Sequence, residues 1–143
     1  MSKSLARCAV IGNPISHSLS PKIHKMFAQQ AGVNLEYSKI KLDSSQLNHF
    51  IQEFFSKGGV GLNVTAPFKS AVIECVSTLS ESANVCQSVN TIFRNSSGQL
   101  VGDSTDGPGI LIDLKRLNFI PKVPEQSEKL NKKLTTTQLI NSL

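Results

Sequence analysis

Apolar residues follow two different periodicities over residues 1–120 of the chain. Short apolar runs that end at glycine or polar residues predict buried strands, and these runs occupy residues 8–11, 35–42, 60–64, 89–93 and 100–101. Between the runs, apolar residues three and four positions apart predict helices. The strongest stripe follows a capping residue, Asp43 or Ser44, and ends at Gly58-Gly59. It consists of Leu47, Phe50, Ile51, Phe54 and Phe55.

Four other helices are predicted mainly from the residues at their ends. The first begins at Ser20-Pro21, a capping serine before a proline, and ends at Gly32. Its one-sided stripe is Ile23, Met26, Phe27 and Gln30-Ala31. The others are a helix after Pro67, a shorter one after Ser80, and one over residues 108–117 that is capped by Asp106.

The order of these elements predicts the fold class. Strand and helix alternate three times, which is typical of an α/β protein with a mainly parallel sheet flanked by helices. Asn95-Ser96-Ser97-Gly98 lies between two strand patterns and predicts one antiparallel hairpin. We therefore expect a single domain over residues 1–120. The pattern fades after Phe119, and residues 121–143 are predicted to be a loose basic tail with one helical turn over 138–143.

Charge and cysteine content narrow the classes of function. The net charge is +5, but residues 1–114 contain nine basic and eight acidic side chains, so the excess lies in the tail. This balance argues against a nucleic-acid-binding surface on residues 1–114. No apolar run approaches the ~18 residues of a membrane span. Three cysteines without a CxxC pair or metal-ligand spacing predict a reduced, cytoplasmic protein with no metal site.

The loop over residues 13–20 is the first candidate site. It brings three serine hydroxyls to the start of the first helix. Free backbone N–H groups and the positive end of the helix dipole favour an anion there. The alternative is that Ser20 only caps the helix and that the rest of the loop, including His17, is surface.

Lys69 and Asp106 form the second candidate site. Lys69 is predicted in the first turn of the helix after Pro67, where the dipole favours its neutral form and thus proton transfer. Asp106 lies within a glycine-rich segment, residues 102–109, that has neither an EF-hand glutamate nor the GxGxxG spacing. The two side chains are predicted to pair and to shift each other's pKa. The alternatives are a solvated surface lysine and an aspartate that only caps its helix.

Four motifs in order resemble one family. They are Gly12-Asn13-Pro14-Ile15-x-His17-Ser18-x-Ser20-Pro21, Asn63-Val64-Thr65-x-Pro67-Phe68-Lys69, Val89-Asn90-Thr91 and Gly102-Asp103-x-Thr105-Asp106-Gly107. Together they resemble the substrate-binding domain of shikimate dehydrogenase over about residues 6–120. The resemblance implies an NADP-dependent oxidoreductase that interconverts 3-dehydroshikimate and shikimate in aromatic amino-acid biosynthesis.

The resemblance also implies roles for particular residues. Ser18 and Ser20 would hold the substrate carboxylate, and Thr65, Asn90 and Asp106 would hydrogen-bond the ring hydroxyls. Lys69 and Asp106 would be the catalytic pair, with Lys69 as the proton-transfer group. Glu81 would lie on the cofactor side.

The chain departs from the family pattern in three places. Ser104 replaces the usual Asn, which could loosen the turn that aims Asp106, and Gln87-Ser88 replaces Gly-Ala. No glycine follows Gly109, so the glycine-rich NADP loop is absent. We therefore expect a dehydrogenase truncated before its NADP-binding domain and inactive alone, whose missing half a separate chain could supply. The alternatives are a non-enzymatic shikimate- or quinate-binding module, a decaying remnant, and an interaction protein whose basic tail recruits nucleic acid or an acidic partner.

Overall fold

A computed structural model describes residues 4–119, so the predicted tail and its helical turn lie outside the described residues. The strands are β1 (Ala6–Gly12), β2 (Leu35–Lys41), β3 (Gly59–Val64), β4 (Thr78–Leu79), β5 (Thr91–Arg94) and β6 (Leu100–Asp103). The α-helices are α1 (Ser20–Ala31), α2 (Leu47–Ser56), α3 (Glu81–Cys86) and α4 (Asp106–Arg116). Two 3₁₀-helices, Ser44–Gln46 and Ala71–Cys75, complete the elements.

The strands form one sheet in the order β2-β1-β3-β5-β6-β4. β5 is antiparallel to both of its neighbours, and all other pairings are parallel. This confirms the predicted α/β class and its hairpin, which joins β5 to β6. The two-residue strand β4 was not predicted, because two residues are too few to show a period. Since β5 runs in the opposite direction, it begins at the edge of the sheet where the other five strands end.

One face of the sheet packs into the apolar core. Alternate residues of the strands point to this face, and α2 covers it with the stripe that the sequence predicted. Asp43 precedes the first turn of this segment, where its N–H donates to Gln46 Oε1 at 2.9 Å. The main members of the core are Ala9, Ile11, Leu47, Ile51, Phe54, Phe55, Leu62, Val64, Phe68, Val72, Val89 and Ile92.

The prediction of a helix after Pro67 is wrong. Residues 65–70 form turns, and only the 3₁₀-helix Ala71–Cys75 follows. The carbonyl of Lys69, which an α-helix would pair with the N–H of Ile73, instead accepts the N–H of Val89 at 2.8 Å. The N–H of Ile73 donates instead to the carbonyl of Ser70, three residues back rather than four, at 3.2 Å. A tertiary hydrogen bond has therefore replaced the helical one, and the dipole argument for Lys69 loses its basis.

Helix α1 has the predicted extent but not the predicted packing. Gly32 ends it in the left-handed conformation (φ 62°), as a C-cap glycine does. Its apolar stripe is exposed, however: Ile23, Met26 and Phe27 are 44%, 53% and 59% accessible. Ala28 is its one buried residue, and His24 on the same side stacks on Tyr37 of β2 with ring centroids 4.4 Å apart. The helix thus packs through a small and polar side.

No helix among residues 4–119 is long and apolar enough to cross a membrane.

Candidate active site

The residues singled out in the sequence lie at one edge of the sheet. Ser18 and Ser20 follow β1, Thr65 and Lys69 follow β3, and Glu81 follows β4. Asn90 immediately precedes β5 and Asp106 follows β6. These positions share an edge because parallel strands end there and the antiparallel β5 begins there. Ligands of open α/β sheets bind at this edge.

Lys69, Asn90 and Asp106 form a hydrogen-bonded cluster. Lys69 Nζ donates to Asp106 Oδ2 at 2.6 Å, so the predicted pair is in contact across 37 positions of sequence. Asn90 Nδ2 donates to the other carboxylate oxygen, Asp106 Oδ1, at 2.8 Å, and also to Thr105 Oγ1 at 2.9 Å. The carboxylate is thereby held from both sides. The side chains of Lys69 and Asp106 remain 36% and 49% accessible, which leaves both within reach of a ligand.

The cluster keeps Asp106 ionised. The hydrogen bond from Lys69 lowers the pKa of Asp106, the bond from Asn90 lowers it further, and partial burial opposes both. Asp106 does not cap α4, contrary to prediction: it is the first helical residue, Thr105 is the N-cap, and no side chain makes a cap hydrogen bond. The carboxylate contacts Lys69 and Asn90 instead, as the predicted pairing of Lys69 with Asp106 requires.

Ser18, Ser20 and Thr65 line a separate cleft. It has a volume of about 300 Å³, and the other lining residues are Val10, Pro14, Ile15, His17 and Ala66. Ser20 is the first residue of α1 rather than its cap, and its N–H donates to Ser18 Oγ at 3.3 Å. Two hydroxyls at the start of a helix of 12 residues fit the predicted anion site.

The two groups of residues are neighbours but do not line one cleft. Lys69, Asn90 and Asp106 are not among the residues that line the cleft of Ser18 and Ser20. The end of β3 joins the groups: the N–H of Val64 donates to the carbonyl of Asn90 at 2.8 Å, and Thr65 follows directly. A ligand that contacted both would therefore lie across the end of β3.

Several polar residues of this edge were missed by sequence reasoning. Asp103 Oδ1 accepts hydrogen bonds from Ser80 Oγ at 2.5 Å, Ser82 Oγ at 2.9 Å and the N–H of Ser104 at 2.8 Å. The bond from Ser80 is the largest cause that lowers the pKa of Asp103, and burial opposes it. Asn63, Thr91 and Tyr37 form another such group. Spacing along the sequence contains no signal for the contacts of Asp103 with Ser80 and Ser82, which lie at the start of α3. It contains none for Tyr37, Asn63 and Thr91 either, because they lie on three different strands.

Two further positions singled out in the sequence are Ser104, a departure from the family pattern, and Glu81, the residue expected on the cofactor side. Ser104 is 1% accessible, and its hydroxyl has no hydrogen-bond partner among the described residues. Glu81 begins α3 and is exposed beside a hollow of about 540 Å³ at the end of β4, apart from the Lys69 cluster. Nothing in residues 4–119 forms a glycine-rich dinucleotide turn, so the residues present do not fit the pyrophosphate of NADP.

Comparison with known proteins decides the family. The family model of the shikimate dehydrogenase substrate binding domain matches residues 10–92. The chain belongs to the shikimate dehydrogenase family. A curated relative, shikimate dehydrogenase (NADP(+)) of Buchnera aphidicola, is 46% identical over 114 residues, which cover 80% of this chain and 42% of the relative. The chain thus spans less than half the length of the shikimate dehydrogenases that it matches.

Solved structures of the family share the fold. Shikimate 5-dehydrogenase from Thermus thermophilus, in complex with NADP(H) and shikimate, matches with a TM-score of 0.72 and 33% identity. That match covers 81% of this chain and 43% of the other. Shikimate 5-dehydrogenase from Listeria monocytogenes, in complex with shikimate and NAD, matches with a TM-score of 0.75 and 28% identity, over 82% and 41% of the two chains.

Proposed function

We propose that this chain is the substrate-binding half of an NADP-dependent shikimate dehydrogenase, which interconverts 3-dehydroshikimate and shikimate in aromatic amino-acid biosynthesis. The observation behind the proposal is the Lys69–Asp106–Asn90 cluster, which lies at the same sheet edge as the serine cleft. The name of the Buchnera relative and the shikimate-bound family structures support it. A cytoplasmic location is part of the proposal, and the three free cysteines Cys8, Cys75 and Cys86 fit it.

The proposed roles follow from the chemistry of each group. The hydroxyls of Ser18 and Ser20 would donate to the carboxylate of the substrate, and Thr65 and Asn90 would bond its ring hydroxyls. When a ring hydroxyl becomes a ketone it loses its proton, and in the reverse direction it regains one. Lys69 is the group that we assign to this proton. Asp106 would orient both Lys69 and the substrate, because its carboxylate accepts a hydrogen bond from Lys69 and has lone pairs left for a substrate hydroxyl.

The cofactor side of the proposal needs residues outside this chain. NADP would accept or supply the hydride, but this sequence has no glycine after Gly109 with which to build its pyrophosphate turn. Among residues 4–119, Glu81 is the candidate contact on that side. We therefore propose that these 143 residues are inactive alone and that turnover needs an NADP-binding domain outside them.

The test is an assay of the purified chain with shikimate and NADP⁺. We expect no turnover, and weak binding of shikimate by calorimetry. Turnover on the order of 1–10³ per second would overturn the proposed inactivity. Fusion to the NADP-binding part of the Buchnera relative should restore turnover. If the fusion binds both ligands without turnover, a non-enzymatic shikimate- or quinate-binding module is favoured. If shikimate does not bind, the proposed function fails.

A further inference from the structure

Tyr37 lies on the face of the sheet opposite the apolar core, where it contacts His24 of α1. It belongs to β2, where it pairs in register with Cys8 of β1. Its ring stacks on His24 of α1 with an interplanar angle of 19°. Its hydroxyl donates to Asn63 Oδ1 on β3 at 2.6 Å, so the side chain reaches past the intervening strand. Tyr37 is therefore fixed both by stacking and by a short hydrogen bond.

Further hydrogen bonds continue from Asn63 to the candidate catalytic cluster. Asn63 Nδ2 is 3.3 Å from Thr91 Oγ1 and 3.4 Å from the carbonyl oxygen of Asn90. Thr91 Oγ1 donates to Asn90 Oδ1 at 3.0 Å. Asn90 Nδ2 donates to Asp106 Oδ1 at 2.8 Å. Asn63 and Thr91 are directly paired in the register of β3 and β5, so their side chains share one face.

The chemistry of the partners gives this series of bonds one direction. A backbone carbonyl can only accept, so Asn63 must present its NH₂ group to Asn90 and its oxygen to Tyr37. Thr91 accepts from Asn63 and has one proton left, which it donates to Asn90 Oδ1. That oxygen also accepts the N–H of Thr105 at 3.2 Å. The NH₂ group of Asn90 is consequently turned toward Asp106.

We propose that Tyr37 is a positioning residue: its hydroxyl fixes the amide of Asn63 and, through Thr91, holds Asn90 in the orientation that donates to Asp106. This inference rests on the proposed function only in so far as Asn90 and Asp106 contact the substrate. Burial raises the pKa of Tyr37 to about 12, although a hydrogen bond with the Ser20 side chain opposes the rise. Tyr37 therefore remains a donor at neutral pH.

The test is an NMR titration of the Asp106 carboxyl in the 143-residue chain without ligand. Tyr37→Phe keeps the ring on His24 but removes the donor, and Thr91→Val interrupts the series in the middle. Both should raise the pKa of Asp106, because the bond from Asn90 lowers it in the wild type. Thr91→Ser retains the hydroxyl and should restore the wild-type value. Ser56→Ala is the control and should leave the pKa of Asp106 unchanged, since it removes a hydroxyl that bonds to the carbonyl of Glu53 at the end of α2, away from the site.

The outcomes separate a positioning role from a merely structural one. Asn90→Ala is the positive control and should raise the pKa of Asp106 at least as much as Tyr37→Phe. If Asn90→Ala raises it while Tyr37→Phe and Thr91→Val leave it at the wild-type value, the proposal is wrong. Should Tyr37→Phe fail to fold, the comparison of Thr91→Val with Thr91→Ser decides the question.

A binding measurement distinguishes this inference from the proposed function. Tyr37→Phe should weaken shikimate binding by about 2–10-fold, the worth of one misplaced hydrogen bond. Unchanged affinity together with an unchanged Asp106 titration would contradict the positioning role. If the titration changes as expected but the wild-type chain binds no shikimate, the positioning role holds and the proposed function falls.

Discussion

The two faces of the central sheet have different chemistry although the same strands form them. On one face, Leu62 and Ile92 lie in the apolar core beneath α2. On the other face lie their sequence neighbours Asn63 and Thr91, which pair with each other across β3 and β5. These two residues belong to a series of hydrogen bonds that ends at Asp106. Because successive residues of a strand point to opposite faces, one segment can stabilise the fold and position the site at once.

The helices that cover these faces differ in the same way. α2 buries Leu47, Ile51, Phe54 and Phe55, so its apolar stripe faces the sheet. α1 places Ala28 and His24 against the polar side, and its apolar stripe is left outside. Helical periodicity therefore shows that a helix has two sides, but the chemistry of the opposing sheet face decides which side packs.

The largest effect should follow from loss of the Lys69 ammonium on the polar side. In a fusion that contains an NADP-binding domain, Lys69→Ala should lower turnover by about 10²–10⁴-fold while substrate affinity changes little, because its assigned role is proton transfer. Steady-state kinetics measure both. Lys57→Ala removes an ion pair of the same length, 2.6 Å to Glu53, away from the site and should leave turnover unchanged. Full turnover in Lys69→Ala would end the assignment.

Neighbouring substitutions on β3 should separate the two faces. Leu62 is 1% accessible, and Leu62→Ala should lower the free energy of unfolding by about 2–5 kcal/mol through a cavity in the core. Asn63→Ala should cost about 1–3 kcal/mol, because it leaves the partly buried Tyr37 hydroxyl without its acceptor, but it should also weaken shikimate binding. Urea denaturation and calorimetry give the two quantities. The comparison fails if Asn63→Ala is the more destabilising change.

The smallest effect is a pH dependence confined to the polar edge. The pKa of Asp106 in the folded chain lies below its ordinary value of 3.8, so the unfolded state binds more protons as the solution becomes acidic. The stability that ionised Asp106 contributes to the fold is fully present well above pH 3.8 and is lost as pH falls through the lower pKa of the folded chain. The stability difference between the wild type and Asp106→Asn should therefore shrink between about pH 5 and pH 3, as measured by urea denaturation. The difference for Leu62→Ala should stay constant with pH, and a parallel decline in both would contradict this origin.

Local patterns predicted much of the fold and part of the site. The apolar runs, the stripe of α2 and the hairpin turn each depend on residues close in sequence, and these predictions are confirmed. The prediction of a helix after Pro67 is wrong because the N–H of Val89, 20 positions later, donates a hydrogen bond to the carbonyl of Lys69. Lys69 and Asp106 could be paired because each follows a strand that ends at one edge. The contacts of Tyr37 and Asn63 could not be predicted, because they depend on the register between strands. Those of Asp103 with Ser80 and Ser82 depend on where α3 begins beside β6.

The most direct test of the account is a calorimetric titration of the chain with shikimate. The account predicts weak binding that Ser18→Ala and Ser20→Ala each weaken by about 1–3 kcal/mol, since each removes a donor to a carboxylate. Ser56→Ala, which removes a hydroxyl at the end of α2 that bonds to the carbonyl of Glu53, should bind as the wild type does. Binding that is indifferent to both cleft substitutions, or no binding by the wild type, would contradict the claim that this edge of the sheet holds the substrate.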